Sequence, residues 1–374
     1  MYDELKKLSS SGLYPFHMPG HKRQDIFGED FNPYLFDITE IEGFDDMHSP
    51  RGMIRDLNER LRERFGGDRA RILINGSTSG VLTAISASVK KGGKLIMASN
   101  SHRSAYNAAF LRDLSIVPLD PERIPEPGMD GGISPDRVEE ALKENPDAEA
   151  VYITSPTYEG VLSDVERIAG ICHSHGVPLI VDSAHGAIAG LYKPFTEEHR
   201  FYEPLSKGAD IAVKSLHKTL PVFTQTSLIA VAGDRVNREE LKRYYSIYQT
   251  SSPSYVFMAA ADKMLSFLEE RGEELFRKLD KNLSGLRDMA QKLSRIRIWG
   301  PELTGSFAVS GFDPTKLVIS REGFSGNELM RLLREKYFLE AELSKEGYVL
   351  LFTGIMDTDE GFSRLSDALK ELDK

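Results

Sequence analysis

A single cysteine, Cys172, stands in 374 residues, so the chain has no internal disulfide and no cysteine-built zinc site. It lies in an apolar-periodic stretch where packing is the ordinary role of a thiol. So little cysteine fits a reducing, cytoplasmic setting. Long apolar runs are missing too. None approaches the roughly 20 residues that span a bilayer, and the start, Met1-Tyr2-Asp3-Glu4-Leu5-Lys6-Lys7, has no apolar signal core. Positive charge is not in excess: Lys plus Arg number 47 against 57 Asp plus Glu, a formal net charge of -10. With no dominant basic stretch, a nucleic-acid surface is not expected. The G-x-S-x-G elbow of serine hydrolases is absent. His173 and His175 diverge on a helix and His17 and His21 sit among Pro and Gly, so no metal site is expected.

What is present is an alternation. Short apolar runs at 71–74, 94–98, 150–154, 178–181, 211–213 and 227–232 are separated by Gly- or Ser-rich turns and helical stretches. Near-continuous Ile, Val and Leu runs suit strands buried on both faces of a mostly parallel sheet. Helix starts are legible at Ser134-Pro135 and at Ser163-Asp164, and Gly176 is a left-handed stop. The predicted fold is α/β and doubly wound. Four units are expected: an N-terminal arm over 1–50, a large domain over 51–255, a linking helix over 256–294 and a small α+β domain over 295–374. In the last, strands are predicted at 306–310, 317–320 and 348–353, and helices at 325–336 and 359–372.

The candidate chemistry lies at the ends of these strands. Lys218 follows the run 211–213; in a partly dry pocket its amine becomes a nucleophile toward an aldehyde. Asp182 ends the run 178–181, at the sheet edge where ligands sit. A carboxylate there either caps the next turn or pairs with a cation such as a protonated pyridine nitrogen. Ala184, two residues on, offers a small surface for a flat ring. Asn75-Gly76-Ser77-Thr78-Ser79-Gly80 follows another strand and opens a helix expected near Gly80. Hydroxyls and N–H groups there read as a phosphate cradle or a plain capped turn, with Ser215 and His217 as further contacts. His102, after the run 94–98, is either an ordinary polar loop residue or one that stacks on the opposite face of the ring.

In this order the motifs resemble fold-type-I pyridoxal-phosphate enzymes, and more closely the bacterial ornithine/lysine/arginine decarboxylase family. The strings that carry the resemblance include Pro15-Phe16-His17-Met18-Pro19-Gly20-His21-Lys22, Gly43-Phe44-Asp45-Asp46-Met47-His48, Thr154-Ser155-Pro156-Thr157-Tyr158-Glu159-Gly160 and Gln249-Thr250-Ser251-Ser252-Pro253-Ser254. The resemblance implies pyridoxal phosphate as cofactor, with Lys218 as its Schiff-base lysine and Asp182 as the partner of the ring nitrogen. It also implies His102 as the stacking residue, His185 near the phenolic oxygen, and Ser77, Thr78, Ser79, Ser215 and His217 around the phosphate. Ser251 and its neighbours would reach the cofactor of a second subunit, which implies a homodimer with shared sites. The sequence resembles a short member, without the receiver-like N-terminal domain and long C-terminal domain of better-known relatives.

The implied reaction is decarboxylation of lysine, ornithine or arginine to the amine and carbon dioxide, as in polyamine biosynthesis. Lys218 or His217 would return a proton to Cα. Glu159, Asp45 and Asp46 are candidates for the distal cation of the substrate. Two rivals remain open at this point. One is an aminotransferase or lyase on the same fold, with Arg321 as a suspect for the α-carboxylate. The other is a non-catalytic partner of a longer relative.

Overall fold

A computed structural model describes residues 1–28 and 31–374. Its centre is a seven-stranded sheet in the order Arg69–Leu73, Ser227–Val231, Ile211–Lys214, Leu179–Asp182, Ala148–Thr154, Lys94–Ala98 and Ser115–Leu119. Neighbours run parallel except Ser227–Val231, which is antiparallel to both strands beside it. Leu179–Asp182, Ile211–Lys214 and Ser227–Val231 are buried along their whole length, as expected of strands covered on both faces. The edge strand Ser115–Leu119 escaped sequence reading because it is mostly half-exposed and breaks with Pro118, so no apolar run marks it.

The helix after the first sheet strand begins at Gly76 and runs to Ser88, rather than starting near Gly80. Gly80 serves packing instead. A Cβ there would stand 2.6 Å from Leu73 Cδ1 and 2.8 Å from Val213 Cγ1, so only glycine lets this helix lie on the sheet. The helices Pro135–Glu144 and Val165–Ser174 start where the proline and acidic caps predict, with Asp164 accepting the Arg167 N–H. No helix among the described residues is long and apolar enough to cross a membrane.

A 36-residue helix, Tyr255–Ala290, leads to a four-stranded antiparallel sheet ordered Ile296–Trp299, Lys316–Arg321, Val349–Phe352, Leu343–Ser344. The helices Gly326–Tyr337 and Asp359–Leu372 cover it, the first opened by a Ser325/Glu328 capping box. The strand predicted at 306–310 does not form. Phe307 and Ala308 take left-handed conformations (φ 51° and 54°), and the Phe307 carbonyl accepts the Gly132 N–H instead of a ladder partner.

The N-terminal segment is tied in more firmly than an arm on a surface. Tyr14–Phe16 pairs in parallel with Leu339–Ala341. The buried Lys22 ammonium donates to the carbonyls of Pro15, His17 and Phe352 at 3.0, 3.0 and 2.7 Å. Further on, Asp45 caps the helix Met53–Phe65. Its carboxylate accepts the N–H groups of Arg51, Gly52, Ile54 and Arg55 at 2.8–3.3 Å. That accounts for Asp45 by backbone satisfaction at a helix start.

Candidate active site

Lys218 lies on a single helical turn, Leu216–Thr219, that follows the strand Ile211–Lys214. The strand's own last lysine, Lys214, turns away to pair with Glu203 at 2.9 Å. Lys218 Nζ meets His185 Nε2 at 2.8 Å. Burial is the main force on this amine, and it lowers the proton affinity to a pKa of about 8. Asp182 and Glu342 oppose the shift and Lys316 reinforces it. Burial, followed by Lys218, holds the His185 imidazole well below its usual range, so the ring is neutral. With Nε2 accepting from Lys218, the ring's proton sits on Nδ1, a buried atom with no partner among the described residues.

Asp182 comes from the next strand, 3% exposed. One oxygen accepts the Tyr152 hydroxyl at 2.9 Å and the other the Ala184 N–H at 3.0 Å. Both donors are neutral, and among the described residues no cation ion-pairs with it. A buried carboxylate with no ion-paired cation in contact fits a cationic ring nitrogen beside it. His102 caps the helix Arg103–Leu111, its Nδ1 within 2.8 Å of Ser104 Oγ and 3.2 Å of Ser104 N, and opens to solvent on one side. Burial also lowers its proton affinity, with Asp182 acting against it.

Below this cluster the first turn of Gly76–Ser88 offers N–H groups that no intrahelical carbonyl can reach. Ser215 Oγ donates to Ser77 Oγ at 2.8 Å, joining the two segments into one polar seat, with Thr78 exposed beside it. Gly76 needs its positive φ of 74° to make the turn. Ser79 is committed elsewhere. Its hydroxyl donates to the Gly76 carbonyl and accepts from the buried Gln249 amide, whose own oxygen takes the Ile74 N–H. His217 also has a fixed partner: Nδ1 lies 2.9 Å from the Thr226 carbonyl. The orphaned His185 Nδ1, the uncompensated Asp182 and this helix-start seat together fit pyridoxal phosphate.

The remaining candidates lie apart from Lys218 in their contacts. Glu159 accepts the Tyr348 hydroxyl at 2.7 Å. Asp46 accepts the His48 N–H at 2.8 Å and closes a turn. The guanidinium of Arg321 donates to the carbonyls of Leu372 and Glu322 and covers the Phe324 ring at 3.9 Å. Ser251 is exposed. Glu198, His199 and Asp280 are close enough to share a cation, but His199 and Asp280 are already hydrogen-bonded to each other at 2.7 Å.

Residues without a sequence signal complete the wall. Tyr158 packs edge-on against His185 with ring centroids 4.6 Å apart, and its hydroxyl donates to Glu342 Oε1. The other Glu342 oxygen accepts the Met18 N–H at 2.9 Å. Glu342 adjoins an open cavity of about 450 Å3 lined also by His17, Met18 and Met330. Phe352 completes the aromatic wall, 5.6 Å from the His185 ring. Tyr158 stands next to the Glu159 singled out by sequence, one residue out of register with the site.

The profile of the Orn/Lys/Arg decarboxylase major domain matches residues 1–352. An arginine decarboxylase of Bacillus subtilis (strain 168) is 31% identical over 380 residues, covering 100% of this chain and 76% of the relative. A lysine decarboxylase of Hafnia alvei is 26% identical, over 66% of this chain and 34% of the relative. Among solved structures, lysine decarboxylase A from Pseudomonas aeruginosa superposes with a TM-score of 0.73 at 19% identity, over 98% of this chain. The chain spans 60% of that structure and about half of the Francisella novicida lysine decarboxylase, which gives a TM-score of 0.69 at 20% identity over 85% of this chain. An alanine–glyoxylate aminotransferase from Nostoc sp., with a TM-score of 0.66 at 15% identity over 86% of each chain, shares the fold-type-I scaffold. From the sequence match over residues 1–352, the chain belongs to the ornithine/lysine/arginine decarboxylase family of amino-acid decarboxylases.

Proposed function

We propose that the protein is a pyridoxal-phosphate enzyme that decarboxylates a basic amino acid, lysine, ornithine or arginine, to its amine. The observation that carries the reading is the convergence of Lys218, His185 and the uncompensated Asp182 at one sheet edge. Lys218, Asp182, His102, Ala184, His185 and the Ser77/Ser215 seat would hold the cofactor. When bound, pyridoxal phosphate supplies the electron sink for the pair released as carbon dioxide leaves.

The chain's own residues do the rest. Asp182 would face the ring nitrogen, its carboxylate held in place by the Tyr152 hydroxyl and the Ala184 N–H. His102 would cover one face of the ring and Ala184 the other. Lys218 Nζ is the acid that returns a proton to Cα, because the His217 ring is held on the Thr226 carbonyl. Glu342 takes the place that Glu159, Asp45 and Asp46 were expected to fill. It is half-buried, held by Tyr158 and Met18 and free of any ion pair among the described residues, and it bears electrostatically on Lys218. It is the carboxylate suited to a distal ammonium or guanidinium.

A homodimer accords with the exposed apolar face of the N-terminal segment. Tyr34, Leu35, Ile41, Phe44 and Met53 are between 46% and 89% exposed. They adjoin a groove of about 560 Å3 lined by Phe36, Ile38 and Met258. Sedimentation of the wild type as a dimer, and of Leu35→Asp with Phe44→Asp as a monomer, is expected. The reaction is tested by incubating cofactor-loaded protein with lysine, ornithine and arginine while recording amine, keto acid and carbon dioxide. Amine and carbon dioxide in equal amounts from one of them is the expected result; keto acid, or no product from any of the three, overturns the reading.

A further inference from the structure

Lys316 is a buried lysine outside the contacts of Lys218 and Asp182. It is 0% exposed and sits at the start of the strand Lys316–Arg321, and its stem presses against Gly160. A Cβ on Gly160 would lie 2.8 Å from Lys316 Cγ. Its ammonium lies 3.3 Å from Asp313 Oδ2 and 4.1 Å from the centroid of the Phe352 ring, without a hydrogen-bond partner. The same ring faces His185 edge-on at 5.6 Å. Phe352 therefore contacts both a buried cation and the imidazole that meets Lys218.

An ion pair stripped of water is costly, and apolar residues of similar volume serve a core as well or better. What the pair adds is a directed field. Asp313 is anchored on the far side by the Thr315 N–H and hydroxyl at 2.9 and 2.7 Å. Lys316 is the member that bears on Lys218, on His185 and on Lys22.

We propose that Lys316 is a positioning residue: its ammonium, paired with Asp313 and seated on the Phe352 ring that meets His185, adds a positive field to burial at the Lys218–His185 pair. The role rests on Lys218 being the cofactor-bearing lysine. The other groups facing Lys218 are Asp182 and Glu342, which favour its charge, and the neutral His185. His102 and His217 also face this cluster. Lys22, the other buried lysine nearby, is matched by Asp357 at 3.9 Å. Lys316 is paired with Asp313 at 3.3 Å, and the other Asp313 oxygen is taken by Thr315.

The test uses the cofactor-free protein, so it reads neither turnover nor substrate. Lys218 is labelled with trace acetic anhydride at graded pH, and its peptide is quantified by mass spectrometry. Wild type should show half-maximal reactivity near pH 8. Lys316→Met should move that midpoint up by about one pH unit, and Lys316→Arg should hold it within a few tenths. The double variant Asp313→Asn/Lys316→Met, which leaves no orphaned carboxylate, should shift as Lys316→Met does. An unmoved midpoint in folded Lys316→Met, or a shift that disappears in the double variant, overturns the proposal. Absence of decarboxylation in the wild type would instead overturn the proposed function while leaving this titration intact.

Discussion

Tyr152 and Asp182 stand on adjacent parallel strands, and the tyrosine hydroxyl donates to Asp182 Oδ2 at 2.9 Å. Ile180, the residue opposite Tyr152, shares a sheet face with Asp182, so the phenol reaches along that face to the carboxylate at the strand end. Burial and Asp182 both keep the phenol protonated, hence a donor. Tyr152→Phe strips one of two donors from a buried carboxylate and should cost about 1–2 kcal/mol of stability in the cofactor-free protein. The loss should shrink on loading with pyridoxal phosphate. Thermal melts with and without cofactor read both; an equal loss in each would separate Tyr152 from the ring-nitrogen site.

Lys218 carries a stability cost with a definite sign. Folding lowers it from an ordinary value of 10.5 to about 8, so the unfolded chain binds its proton more tightly. The penalty is complete below pH 8, fades between pH 8 and 10.5 and is gone above. Lys218→Met should therefore stabilise the cofactor-free protein by about 1–3 kcal/mol at pH 7 while abolishing turnover. Urea unfolding should show the gain shrinking toward pH 10. A gain equal at both pH values would contradict the buried-amine account.

Asp45 is predicted to matter for stability and not for substrate. Burial works to raise its carboxyl, but backbone N–H groups led by those of Arg51 and Gly52 hold it below the usual range. Asp45→Ala should cost about 1–2 kcal/mol, the scale of a helix cap, and leave KM within twofold. A tenfold rise in KM with an unchanged melting temperature would return Asp45 to the substrate site.

Glu342→Gln should raise KM for the preferred basic amino acid by about 10-fold or more while changing kcat far less, since the distal cation is bound equally in ground and transition states. Steady-state kinetics with an apolar amino acid of similar length supplies the control, for which the substitution should be neutral or favourable.

Much of this site was legible in the sequence because its parts are local. Lys218, Asp182, His102 and Ser77 each follow a buried strand within a few residues, and an apolar run ending in a polar turn marks such a place. Glu342, Tyr158 and Lys316 were not legible for the opposite reason. Glu342 sits on the bend between Leu339–Ala341 and Leu343–Ser344, and only the packing of distant segments brings it to Tyr158. Lys316 reads as an ordinary strand-start lysine until Phe352 and Asp313 close over it. The strand predicted at 306–310 failed because left-handed φ values at Phe307 and Ala308 leave no trace in composition. Asp45 misled because carboxylates that cap helices and carboxylates that bind cations look alike in one dimension.

The Lys22 ammonium, which gathers carbonyls from Pro15, His17 and Phe352, also sets an order of assembly. Its partners are separated from it by as many as 330 residues, and contacts of that span form late because the loop they close is long. On the ribosome, the segment around Met18 emerges well before Phe352 and Asp357. The large sheet and its reactive lysine can therefore fold first, with the Glu342 side still missing. Under the proposed function, the pocket's selectivity is then acquired after its chemistry, and a chain stalled short of Phe352 would carry a Lys218 exposed to any aldehyde in the cell.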